Sequence, residues 1–226
     1  MAGLLAHVLP LALLGALMPT RLTLVTSLLG TSRPRANAIA FSLACTAGYL
    51  VTALFSGALR TAATRVTGGG PHSLAPLELA LGLALLALLA WMLAGPPRSQ
   101  QTSPALAGRI TLLSPARTSL LGFGLGVTSL RCAAILIEVS TLVVEDGFGR
   151  VVLVAVLVLT VLVFSLPMLL PVAAYLLVSD RLLPALASLR RTLERNGHRI
   201  TVFVTGALGA YLVIRGAIGI DLTGLR

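Results

Sequence analysis

The sequence has no lysine; all 17 of its basic residues are arginine. That excludes a Walker-type phosphate loop, which needs its lysine on the phosphates, and lysine Schiff-base chemistry. Charge of either sign is scarce. Only 11% of the 226 residues are charged, against about a quarter in soluble domains. The two cysteines, Cys45 and Cys132, sit inside apolar runs and form no C-x-x-C. The three histidines, His7, His72 and His198, have no metal-ligand spacing, so no metal site and no cofactor are expected. No Ser-His-Asp arrangement and no paired buried carboxylates present themselves, so an enzyme is not expected. Met1–Pro10 lacks the basic start of a secretory signal peptide.

What the chain has is apolar side chains. They make up 57% of the residues, and the mean hydropathy is +0.99. With about 20 apolar residues per membrane helix, this stock fills about six spans and leaves no long polar stretch for a soluble domain. The net charge of +10 then reads as arginines meeting lipid headgroups, not as a nucleic-acid surface. Six apolar segments stand out: Leu4–Leu28, Ala36–Leu59, Leu74–Leu93, Ser119–Val144, Val151–Val178 and Ile200–Ile220. Turn chemistry separates them, as in Gly30-Thr-Ser-Arg-Pro34, Gly68-Gly-Gly-Pro71, Gly95-Pro-Pro97 and Glu145-Asp-Gly-Phe-Gly149. The expected fold is an all-α integral membrane protein of six helices in a single domain. Three helices per half would make two inverted repeats, residues 1–95 and 118–226, joined by a cytoplasmic connector at 96–117. The first, third and fifth loops carry 10 arginines and the second and fourth loops with the C-terminal tail carry 4. By the positive-inside rule both termini lie outside. Leu182–Arg195 places five leucines on one helical face beside Arg190, Arg191 and Arg195, a pattern suited to a helix lying on the membrane surface.

Polar residues inside the spans are the candidate site. Arg131 lies deep in the fourth segment, and Glu138 is two helical turns further on. An intramembrane arginine faces a cavity or a partner, so the two either bracket a bound zwitterion or form a packing pair. Pro19-Thr20-Arg21 interrupts the first span, and Thr128-Ser129-Leu130-Arg131 interrupts the fourth. A broken helix exposes backbone groups that are tolerated where they line a cavity; the alternative is a kink with Arg21 reaching the interface. Ser42, Cys45, Thr46, Tyr49, Thr52 and Ser56 make one polar stripe, either a path lining or a close-packing face. Gly122 and Gly126 form a G-x-x-x-G packing motif. Pro167 and Pro171, with Tyr175, mark a kink usable as a hinge or gate. Glu78 and Glu138 are the carboxylates able to carry a coupling proton from within a helix.

The order of these pieces resembles the GAP family, the peptidoglycolipid addressing proteins of mycobacteria and related actinobacteria, within the lysine-exporter superfamily. The resemblance lies in Leu9-PLALLGALMPTRL with Pro19, Arg33-PRANAIAFSLACTAGYLV with Asn37, Leu166-PMLLPVAAYLLVSDR, and Arg195-NGHRITVFVTGALGAYLVIRGAIGI. It implies a plasma-membrane transporter that exports or flips an envelope glycolipid. Across the superfamily it implies efflux of amino acids or similar small anions and zwitterions, often coupled to the proton gradient. The superfamily's Asn-Pro in span four is replaced here by Ser129-Leu130-Arg131. Pro19, Thr20, Arg21, Asn37, Tyr49, Ser129, Arg131 and Glu138 are the expected substrate-binding residues. An anionic lipid or a small anion or zwitterion would be the substrate and membrane lipids the surroundings. Small chains of this kind commonly pair, so a homodimer is expected. A scaffold within a larger envelope lipid-export machine is the reading from a different class. Transmembrane thiol chemistry is a further one, though Cys45 and Cys132 lie in non-equivalent spans.

Overall fold

The computed structural model describes residues 2–16, 19–29, 31, 33–66, 75–94, 114–178 and 183–224. Helices account for nearly all of them: α1 (Ala2–Ala16), α2 (Pro19–Leu28), α3 (Pro34–Val66), α4 (Ala75–Ala94), α5 (Pro115–Val127), α6 (Leu130–Glu145), α7 (Arg150–Val178) and α8 (Leu183–Gly224). Proline begins α2, α3 and α5, where its missing N–H has no helical partner to lose. The turn after α6 is a full Schellman closure. Phe148 N–H donates to Val143 O and Gly147 N–H to Val144 O, with Gly147 at φ +75°, a conformation glycine adopts without a Cβ clash.

Four stretches are long and apolar enough to cross a membrane: Pro34–Ala63, Ala75–Ala94, Arg150–Leu177 and Arg195–Ile220. Two helix pairs reach that length only together, α1 with α2 and α5 with α6, and each pair is bent by 51°. The protein is therefore an all-α, multi-pass membrane protein of four to six spans. The second bent pair runs from end to end of the bundle. Gly122 and Gly126 of α5 lie on Phe41 and Cys45, near the start of α3. Glu145, closing α6, reaches Arg215 near the end of α8. Span four is thus broken without a proline. Ser129 is extended, at φ −76° and ψ 98°, and α6 restarts with Ala133 N–H donating to Ser129 O.

In lipid, helices associate through close packing of small residues, and two glycine seams do this here. Along α3 and α5, which run parallel, a Cβ on Gly126 would sit 2.6 Å from Cys45 O and one on Gly122 would sit 2.5 Å from Phe41 O. Along α4 and α8, which run antiparallel, a Cβ on Gly82 would meet Val213 N at 2.7 Å and one on Gly216 would meet Leu79 N at 2.6 Å. The G-x-x-x-G of the sequence is thus a packing motif. α6 packs against α1, α3, α4 and α7, and every residue from Ala134 to Thr141 is buried. Large apolar side chains such as Phe55, Leu120, Val151, Leu177 and Phe203 point outward.

Two segments singled out in the sequence lie within longer helices. α7 runs unbroken through Pro167 and Pro171. The hydroxyl of Ser165 donates to Val161 O at 2.9 Å and accepts from Thr46 of α3 at 2.9 Å, holding the segment before the prolines in helical register. The stretch Leu183–Arg195 is helical but continues into the last span as one 42-residue helix. The helix continues through Asn196-Gly197, so this stretch is the first part of α8 and not a separate element. Apart from Ser188 and Arg195, its side chains lie outside the described residues, as does most of the connector at 96–117.

Candidate functional site

Breaking span four frees backbone groups on both sides of Thr128. Gly124 O still accepts from the Thr128 N–H at 2.9 Å and from its hydroxyl at 2.7 Å. The next carbonyl, Leu125 O, loses its helical donor, since Ser129 has left the helix. Arg21 supplies a replacement: its Nη2 donates to Leu125 O at 3.1 Å. Its Nη1 points at Cys132 Sγ, 3.6 Å away. The guanidinium lies 4.5 Å over the ring of Tyr49, which is fully buried and itself meets Phe164 edge-on, with centroids 5.8 Å apart. Arg21 is therefore anchored by a carbonyl, a thiol and an aromatic face.

Beside it opens a cavity of about 300 Å³, lined by Arg21, Leu24, Leu88, Leu125, Thr128, Ser129, Leu130 and Arg131. Two guanidiniums, two hydroxyls and the N-terminus of a 16-residue helix converge there. The Ser129 side chain makes no capping hydrogen bond to the backbone of the helix it precedes; it bonds the Cys132 thiol instead. Helix N-termini and guanidinium forks both favour an anion. Four leucines complete the lining, so the site joins a cationic patch to an apolar wall.

A second charged cluster lies at the far end of α6. Arg215 of α8 donates through Nη1 to Glu138 Oε1 at 2.6 Å, bonds Glu145 Oε2 through Nη2, and approaches Glu78 Oε2 of α4 at 3.8 Å. The Tyr211 hydroxyl donates to Glu138 Oε1 at 2.9 Å. Arg60 of α3, also buried, lies within electrostatic reach of Glu145 and Glu78.

The sequence-predicted residues thus divide. Arg21, Ser129 and Arg131 line one cavity. Glu138 is not among the residues lining it, and its ion-pair partner is Arg215 of α8. Both residues lie in α6 on much the same face, about 10 Å apart along its axis: Arg131 is in the first turn, at the open cavity, and Glu138 is in the buried middle. Tyr49 supports Arg21 from beneath. Asn37 is buried elsewhere, its Nδ2 donating to Thr31 Oγ1 at 3.3 Å, where it ties the start of α3 to the end of span one. Pro19 and Thr20 form the first turn of α2, and their side chains lie outside the described set. Tyr175, Pro167 and Pro171 remain within α7. Sequence reasoning missed Arg60, Glu145, Tyr211 and Arg215. The signal for Arg215 was present: it lies inside the sixth apolar segment, and the rule that singled out Arg131 applies to it equally.

An open cationic cavity at a broken helix, inside a small multi-pass bundle, is an arrangement that secondary transporters use for their ligand sites. The chain belongs to a specific family of that kind: residues 8–218 match the family described as SfLAP, Sap, sulfolipid-1-addressing protein. This is the family to which the resemblance in the sequence pointed. No curated protein and no solved structure matches the chain.

Proposed function

We propose that the protein exports or flips an anionic envelope lipid across the plasma membrane, with the headgroup seated between Arg21 and Arg131. The observation that carries this reading is the pairing of two guanidiniums, from two separate broken spans, in one cavity of about 300 Å³. The family description names a sulfolipid, and a sulfate ester suits the site. It is a fixed anion that accepts several hydrogen bonds, and it brings no proton to be stripped on binding. Leu24, Leu88, Leu125 and Leu130 then offer an apolar wall to the adjoining chains. As a transporter-like protein it has no catalytic residues in this reading.

Alternating access through two inverted repeats is supported by the contact pattern. Exchanging span one with four, two with five and three with six carries the α1·α7 contact onto α5·α3, α2·α3 onto α6·α7, α2·α7 onto α6·α3, and α2·α8 onto α6·α4. The α3·α7 and α4·α8 contacts map onto themselves. Arg21 and Arg131 fall in the first turn after each break, and both line the same cavity.

The test is lipid mass spectrometry on a deletion strain complemented with wild type, Arg21→Gln or Arg131→Gln at equal membrane abundance. One anionic lipid should be depleted at the cell surface and retained in the total. Wild type should restore it and neither variant should. An unchanged surface lipid profile with a metabolite lost from the medium would replace this reading with small-solute efflux.

A further inference from the structure

We infer that Glu78 and Glu138, grouped with Glu145 around Arg215, form a proton-binding site at the end of α6 opposite the arginine cavity. The first argument is charge. The described ionisable groups here are three carboxylates, Glu78, Glu138 and Glu145, and two guanidiniums, Arg60 and Arg215. With all of them ionised, one negative charge would stand uncompensated in a buried part of a membrane protein, a strongly unfavourable state. A single proton removes it.

The second argument is hydrogen bonding. Glu138 is fully buried and Glu78 nearly so. Glu138 Oε1 receives two donors, from Arg215 and Tyr211. Glu138 Oε2 and Glu78 Oε1 are both buried with no hydrogen-bond partner. An ionised carboxylate left with a dry, undonated oxygen is costly, whereas a carboxylic acid places its proton on such an oxygen. The two acids share Arg215 and titrate together, so the proton belongs to the group.

Among the described residues other elements add no buried competing charge; Arg65 of α3 and Asp146, just beyond α6, are exposed. α1 and α7, which also pack on α6, carry His7, Arg150 and Tyr175 as their described titratable or charged groups. His7 and Arg150 are exposed, and Tyr175 is at the far end of α7. The carboxylates surround a guanidinium rather than an open point, and among the described residues no cluster of three or more His, Cys, Asp or Glu is placed to hold a metal ion, which favours a proton over a cation such as sodium. A route exists: Glu145 and Arg215 are 21% and 22% exposed while Glu138 is at 0%, so the proton passes inward along α6. Protonation of Glu138 weakens its bond to Arg215 and loosens α8 from α6. Use of that step to drive export rests on the transport reading; the proton site itself does not.

The experiment is infrared difference spectroscopy on the full chain reconstituted in lipid bilayers and titrated with acid and base. Wild type should show the C=O stretch of one protonated carboxyl at neutral pH, shifted in heavy water and lost on raising the pH. Glu138→Gln and Glu78→Gln each leave two carboxylates against two guanidiniums, so either change should abolish that band. Arg131→Gln should leave it intact, which separates this site from the anion cavity. No such band in wild type, its survival in both glutamine variants, or its loss on adding sodium at constant pH would each overturn the proposal. The wild-type spectrum decides the matter even if a variant does not fold.

Discussion

Arg21 and Arg131 share a cavity but differ in how they are held. Arg21 is 8% exposed and fixed by Leu125 O, Cys132 and Tyr49, whereas Arg131 is half-buried at the cavity wall. Arg131→Gln should therefore remove headgroup affinity with little effect on folding. Binding of a sulfated lipid in detergent should weaken at least about tenfold, the worth of one charge-assisted hydrogen bond. Arg131→Lys should recover only part of it, since an ammonium lacks the planar fork. Tyr49 tests the anchor. Its hydroxyl is buried with no partner, so Tyr49→Phe should leave the thermal midpoint unchanged or raise it. Tyr49→Leu removes the aromatic face and should cost about 1–2 kcal/mol, read as a lowered midpoint. At this scale the sequence was informative wherever an arginine interrupted an apolar run beside a helix breaker, which is how Arg21, Ser129 and Arg131 were found. It misdirected over Glu138, because spacing along one helix is blind to a partner on another. The group that binds Glu138 comes from α8.

Helices were legible from apolar runs and turn residues, and the closure at Asp146–Gly147 was readable as a turn. Less legible was where a helix breaks. Thr128–Ser129 breaks span four with no proline, because the freed Leu125 carbonyl is satisfied by Arg21 from another helix. Pro167 and Pro171 leave α7 continuous. Both outcomes depend on tertiary contacts that local sequence does not encode. The glycine seams give a sharp test at this scale. Gly126→Val places side-chain atoms where the backbone of α3 already lies and should cost about 1–3 kcal/mol as overpacking, or prevent folding. Gly124, two residues away, has nothing within 4 Å of its would-be Cβ, so Gly124→Ala should be neutral or stabilising by up to about 1 kcal/mol. Equal loss of folded yield from both variants would contradict the seam.

For the molecule as a whole, the arginine asymmetry predicts which end faces the cytoplasm. Cys45 and Cys132 are fully buried, so the wild-type chain should resist a membrane-impermeant maleimide. A cysteine at Gly147 should be labelled from outside in intact cells, and one at Arg33 only after the membrane is opened; the reverse pattern would invert the topology. The count of spans was legible in the sequence, whereas the pattern of helix contacts that supports the proposed inverted repeat was not. One feature of the bundle ties both charged clusters together. The first turn of α6, after Ser129, holds Arg131 at the anion cavity, and its middle and end hold Glu138 and Glu145 in the carboxylate cluster. If seating an anion at one end of α6 alters how tightly the other end holds its proton, thermodynamic reciprocity requires the proton to alter the anion's affinity by the same factor. A pH-dependent dissociation constant for the lipid and an anion-dependent proton titration would then be a single number measured from opposite ends of a 16-residue rod.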